Sequence, residues 1–122
     1  MFNRLFGRTT PTGWQNISPS ELQQRLTANE EWLIVDVRMP EEFADDGHLQ
    51  NSRLLPLPYL QLRSQELPKD KPMALICRTG NRSRVAAEQL AALGFTQVYN
   101  VAGGIFGWRR AGLPLAIQEV QR

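Results

Sequence analysis

Two short runs set the architecture. Trp32-Leu33-Ile34-Val35-Asp36-Val37 and Met73-Ala74-Leu75-Ile76 are apolar throughout, apart from Asp36 near the end of the first. They are too short for buried helices and leave no polar side for solvent, so each reads as a strand covered on both faces. Helical patterns alternate with them. Ser18-Pro19-Ser20-Glu21 marks a helix start, with Ser18 as N-cap, Pro19 in the first turn and Glu21 reaching back as in a capping box; the helix runs to about Ala28. Pro40-Glu41-Glu42-Phe43-Ala44 predicts a short helix broken by Gly47, and Arg53 to Leu57 a short strand stopped by proline. Pro58 to Glu66 reads as helical, and Arg84 to Leu93 as a helix with Val85, Leu90 and Leu93 inward and Gly94 as its stop; Gln97 to Val101 reads as the third strand. Strands alternating with helices imply an α/β fold, a mostly parallel central sheet with helices on both faces. Ligands in such sheets bind beyond the C-terminal strand ends, where Asp36 and Cys77 both fall.

A chain of 122 residues, 42% hydrophobic and 21% charged, fits one domain with an ordinary core. The expected organisation is a domain over 14–115 between an N-terminal tail (1–13) and a C-terminal tail (116–122). A formal charge of +2 is too small to suggest nucleic acid. A single cysteine cannot form an internal disulfide, which points to a cytoplasmic protein with a thiol free to react. Phe2, Leu5 and Phe6 beside Arg4 and Arg8 would share a helical face, but their run is too short for a secretion signal or a membrane span. A frayed tail ended by Pro11 and Gly13 is the simpler expectation than a surface anchor.

The sole cysteine opens the loop Cys77-Arg78-Thr79-Gly80-Asn81-Arg82, and Ser83 leads into the helix. If this loop curls, its backbone N–H groups converge with the helix N-terminus in an anion-binding nest around the sulfur. Gly80 permits the tight turn, and Arg78 and Arg82 add charge. Such a site favours thiolate over thiol and makes Cys77 a nucleophile.

These residues belong to a wider pattern. Leu33 to Arg38, Pro40-Glu41-Glu42-Phe43, Gly47-His48-Leu49, Leu55-Pro56-Leu57, Cys77 to Ser83, Gly103 to Trp108 and Gly112-Leu113-Pro114 together resemble a single-domain rhodanese, across roughly residues 14 to 115. The resemblance implies a sulfurtransferase: the thiolate takes a sulfane sulfur from a donor such as thiosulfate, becomes a persulfide, and passes the outer sulfur to an acceptor. It implies Cys77 as the catalytic residue, Arg78, Thr79, Gly80, Asn81, Arg82 and Ser83 as the binding loop, and Asp36, Arg38 and Glu42 as support. The implied partners are a small-molecule sulfur donor and a thiol or protein acceptor, with no metal, no other cofactor, no nucleic acid and a monomeric chain. Where the family often has Pro-Gly-Ala after its Gly-His corner, this chain has Gln50-Asn51-Ser52; asparagine tolerates left-handed backbone, so the turn survives.

Other candidates fit bland roles better. His48, the only histidine, could form a dyad with Cys77, but in the family it resembles this pair is a structural corner. Asp36 suits a strand-end anchor, Glu42 a partner for a loop arginine or a helix-start carboxylate, Gly103-Gly104 a helix entry or close packing point, and Trp108 core cover. The rival enzyme class, a cysteine phosphatase or arsenate reductase of the same fold, uses Cys-x5-Arg, one residue longer than the Cys-x4-Arg here. The non-enzyme alternative is a rhodanese-like binding or regulatory module.

Overall fold

Leu33–Asp36 and Met73–Ile76 lie side by side within a five-stranded sheet, as their unbroken apolarity requires. The computed structural model describes residues 13–116. Its elements are β1 (Trp14–Ile17), α1 (Pro19–Thr27), β2 (Leu33–Asp36), α2 (Pro40–Asp45), β3 (Arg53–Leu54), two 3₁₀ turns (Leu57–Tyr59 and Ser64–Glu66), β4 (Met73–Ile76), α3 (Asn81–Ala92), β5 (Val98–Val101) and α4 (Gly104–Arg110). The strand order is β1-β5-β4-β2-β3 and every pairing is parallel. All strands therefore end at one edge, with β4 central.

The two-residue period of a strand sorts side chains between two cores. Met73, Leu75 and Cys77 fall on one face, packed with Ala86, Ala87 and Leu90 of α3 and with Leu60 and Leu67 of the 3₁₀ segment. Ala74 and Ile76 fall on the other, with Leu22 of α1 and Ile105 and Trp108 of α4. Each buried large aliphatic side chain contributes about 1.5–3 kcal/mol relative to exposure. A half-exposed helix pair such as Arg25–Glu21, screened by solvent, contributes little beside this. The interior, not the surface pairs, holds the sheet in place.

Several expectations are met and several corrected. Ser18 Oγ accepts from Glu21 N at 3.1 Å, but the Glu21 carboxylate pairs with Arg25 instead of reaching back. The Pro58–Glu66 helix is two 3₁₀ turns. Pro58 has no N–H and that of Leu57 is taken by Val37 O, so the chain closes mostly i→i+3 bonds. α3 starts at Asn81 rather than Arg84, and its buried stripe is Ser83, Ala86, Ala87 and Leu90. That phase leaves Val85 half-buried and Leu93, beyond the last helical residue, exposed. Strand β1 was not expected; its polar Gln15 and Asn16 suit the edge position it occupies. Asn51 adopts φ 67°, the left-handed turn foreseen for it. Ala116, assigned from sequence to the C-terminal tail, exchanges backbone hydrogen bonds with His48. The N-terminal helical face of Phe2, Leu5 and Phe6 lies outside the described residues, among which no helix is long and apolar enough to cross a membrane.

Candidate active site

Cys77 continues the alternation of β4 onto the α3 face, and the chain then turns sharply to enter α3 at Asn81. The turn depends on Gly80, the α3 N-cap, whose φ of 105° is a left-handed conformation that side chains disfavour. It brings three donors onto the sulfur of Cys77: Gly80 N at 3.1 Å, Ser83 N at 3.3 Å and Ser83 Oγ at 3.3 Å. Two are backbone groups at the start of a twelve-residue helix, where unpaired N–H groups and the helix dipole both favour negative charge. The residue itself is 1% exposed.

Burial is the strongest influence on the thiol and pushes its pKa up. The Ser83 hydroxyl and the N–H groups of Ser83, Gly80 and Thr79 together outweigh it, so the Cys77 pKa is lowered from its ordinary value. The loop thus stabilises thiolate chiefly through aimed donors. The arginine charge expected from sequence is secondary, because Arg82 is engaged elsewhere: its two terminal nitrogens meet the two carboxylate oxygens of Glu42 at 2.8 Å each. Arg78 and Thr79 are exposed, and Asn81 occupies the first helical position with an exposed side chain.

Behind the loop lies a second pair. Arg38 and Asp36 are both fully buried, with Arg38 Nη2 2.8 Å from Asp36 Oδ2 and Arg38 Nε 2.9 Å from Asp36 Oδ1. Arg38 Nη2 also donates to Gly47 O, and Asp36 accepts the backbone N–H of Arg38. Asp36 is the strand-end anchor expected, and the pair ties the end of β2 to the Gly47 corner. Glu42 is held down to about 2, first by the hydrogen bonds from Arg82 against the opposing effect of burial, with help from Met39 N–H and the charge of Arg38.

The loop is supported from below by α4. Ile105 N donates to Cys77 O at 2.8 Å and Phe106 N to Arg78 O at 3.0 Å. A Cβ at Gly104 would overlap Cys77 O and sit 2.6 Å from Arg78 O, so this glycine is required by close approach. The close packing point foreseen at Gly103-Gly104 is thus located under the loop. Trp108 is core cover, its Nε1 donating to Pro114 O at 2.8 Å. His48 Nδ1 lies 2.9 Å from Phe43 O with its ring stacked on that of Phe43, so it holds a corner and makes no hydrogen bond with Cys77. Among the described residues no group of His, Cys, Asp or Glu side chains is arranged to hold a metal ion. A groove of about 590 Å³ flanked by Trp32, Leu49 and Trp108 includes none of the loop residues.

Sequence reasoning missed Asn100 and Asn16. Asn100, 5% exposed on β5, accepts from Ser83 Oγ at 2.5 Å, and its Nδ2 donates to Asn16 Oδ1 at 3.0 Å. The available signal was an asparagine at an inward position of an otherwise apolar strand.

The family model described as Rhodanese-like domain matches residues 18–111. The chain belongs to the rhodanese family. It is 39% identical over 103 residues to a sulfurtransferase of Allochromatium vinosum, covering 84% of this chain and 95% of that one. It is 38% identical to a thiosulfate sulfurtransferase of Ectopseudomonas mendocina, covering 79% of this chain and 85% of the relative. A solved rhodanese-related protein from Thermoplasma volcanium superposes with a TM-score of 0.78 at 34% identity, over 85% of this chain and 99% of the other. A Rhodopseudomonas palustris protein of unknown function, described as a possible tyrosine phosphatase, shares the fold at 23% identity and a TM-score of 0.77, covering 86% of each chain.

Proposed function

We propose that this protein is a sulfurtransferase that carries a sulfane sulfur on Cys77. The observation behind this reading is the convergence of Gly80 N, Ser83 N and Ser83 Oγ on one sulfur atom. The same donors that favour thiolate suit a persulfide anion, whose outer sulfur would occupy the mouth of the loop. With thiosulfate as donor, the Cys77 thiolate attacks the outer sulfur of the donor. The sulfur–sulfur bond of thiosulfate breaks, sulfite leaves with the electron pair, and a Cys77 persulfide remains. A nucleophilic acceptor, cyanide in vitro or a thiolate in the cell, then attacks the terminal sulfur and Cys77 departs as thiolate. Both steps conserve charge and electrons and need no cofactor. In this reading Arg82 and Arg78 draw the anionic donor towards the loop, Glu42 fixes Arg82, and Asp36 and Arg38 hold the strand end behind it. A cytoplasmic setting, where thiols stay reduced, suits the reaction.

Intact mass tests the reading directly. Incubation with thiosulfate is expected to add one sulfur atom and cyanide to remove it, while Cys77→Ser gains nothing. Failure of the unaltered chain to form a persulfide with any donor tried, or activity that survives in folded Cys77→Ser, overturns it.

A further inference from the structure

Ser83 has one hydroxyl proton and two acceptors within reach, Cys77 Sγ at 3.3 Å and Asn100 Oδ1 at 2.5 Å. It cannot serve both at once. Asn100 in turn stands opposite Asn16 in the β5–β1 ladder and donates to it at 3.0 Å. Asn16 is exposed while Asn100 and Ser83 are buried, so a polar chain of four side chains runs from the sulfur to the surface.

The charge on the sulfur sets the direction of this chain. A neutral thiol donates to Ser83 Oγ, and the Ser83 proton goes to Asn100 Oδ1. An anionic sulfur only accepts, so Ser83 must turn its proton towards it, and Asn100 Oδ1 loses its donor. Half a turn of the Asn100 amide repairs that loss: Nδ2 then donates to Ser83 Oγ, and Oδ1 takes a donor from Asn16, whose own amide reorients in solvent. A buried polar atom left without a partner would otherwise offset much of what the Ser83–sulfur bond contributes.

We propose that Asn100 and Asn16 are positioning residues that reverse the direction of this hydrogen-bond chain, releasing the Ser83 proton to the sulfur whenever the sulfur is anionic. The inference rests on the sulfurtransferase reading in one respect, that the reaction starts from an anionic Cys77 and returns to one. The coupling itself belongs to the ionisation of Cys77 and is readable without any sulfur transfer.

The decisive variant is at the exposed end. Asn16→Asp accepts but cannot donate, so it holds Asn100 Nδ2 towards itself and Oδ1 towards Ser83, keeping the Ser83 proton from the sulfur. Iodoacetamide alkylation of Cys77 near pH 6 to 7 is expected to slow roughly three- to tenfold in the full chain, the net scale of one ordinary hydrogen bond. Asn16→Ala leaves the amide of Asn100 free to turn and is expected to slow it less than twofold. A direct effect of the new charge through space is separated by repeating the measurement with Ser83→Ala: the slowing by Asn16→Asp is then expected to vanish. Slowing of equal size in the Ser83→Ala background, no slowing in the unaltered background, or equal slowing by Asn16→Ala overturns the proposal. Thermal melts confirm that each variant is folded. If the protein transfers no sulfur from any donor but this pattern holds, the function assignment fails and the coupling stands.

Discussion

Arg82 meets Glu42 through both terminal guanidinium nitrogens, so a cation beside the reactive loop is held by a carboxylate from a different helix, forty positions earlier in the chain. A fork of this kind fixes where the charge points and also offsets part of it at the sulfur. Replacing Glu42 by Gln removes the opposing negative charge, so Cys77 is expected to titrate lower and alkylate faster at pH 6. Arg82→Ala is expected to do the reverse. An alkylation profile unchanged in both variants removes Arg82 from any electrostatic role.

The same pair sets an acid limit. The Glu42 pKa falls from 4.5 to about 2 in the folded chain, with the Arg82 hydrogen bonds as the main cause. A carboxylate with a lowered folded pKa adds stability that is fully present above its unfolded value and lost as pH falls through the folded one. The contribution is therefore constant from pH 6 upward and disappears between about 4.5 and about 2. Carbon-detected NMR of the Glu42 carboxyl is expected to show a midpoint well below 4, moving back up in Arg82→Ala; a midpoint near 4.5 in the unaltered chain contradicts the fork in solution.

Gly104 tests the support beneath the loop. Gly104→Ala would press a methyl group into the carbonyls of Cys77 and Arg78, which also accept from Ile105 and Phe106. Overpacking costs roughly 1–3 kcal/mol, and here relief comes by moving the loop that carries the sulfur. Alkylation and sulfur transfer are expected to fall more than stability does. Gly112→Ala is the control: its φ of 74° brings comparable backbone strain, but nothing lies within 4 Å of the added Cβ. Equal effects of the two substitutions on the thiol would show that the close approach of α4 does not matter.

The buried pair behind the loop makes a different prediction. Arg38→Met strands the Asp36 carboxylate in a fully buried site and is expected to destabilise the fold by about 3–5 kcal/mol, whereas the double variant Asp36→Leu with Arg38→Met recovers much of the loss. Chemical denaturation measures both. A single variant that costs less than the double one shows that the pair does not act as a unit.

What could be read from the sequence follows the range of the forces involved. Strands β2 and β4 were legible because burial on both faces leaves an unbroken apolar run, and Ser18 and Gly94 because caps act within one turn. The reactive loop was legible because Cys77, Gly80 and Ser83 lie within seven consecutive residues. Asn100 was not, since its role depends on β5 entering the sheet between β1 and β4, a pairing no local pattern encodes. The 3₁₀ turns after Leu57 were misread for a related reason: Leu57 N is drawn away by Val37 O, a contact twenty residues distant.

The length of the loop bears on which electrophile it accepts. Cys77 to Arg82 spans four intervening residues, and the donors that reach the sulfur come from Gly80 and Ser83 at 3.1 to 3.3 Å, drawn in around one atom. A phosphoryl group needs donors for three equatorial oxygens around the attacked phosphorus, which calls for a wider ring. The wild-type chain is therefore expected to transfer sulfur from thiosulfate and to leave p-nitrophenyl phosphate intact. Inserting one glycine between Thr79 and Gly80 is expected to weaken sulfur transfer by at least tenfold, because Gly80 N and Ser83 N would no longer converge on the sulfur; each is a hydrogen bond to a charged group, worth about 1.5–3 kcal/mol. The enlarged ring keeps its nucleophile and is the form in which slow phosphate-ester hydrolysis is expected to emerge. Steady-state rates on both substrates decide the matter: Cys77-dependent hydrolysis by the unaltered chain, at rates comparable with sulfur transfer, would show that loop length does not set the selectivity and would favour a phosphatase over a sulfurtransferase.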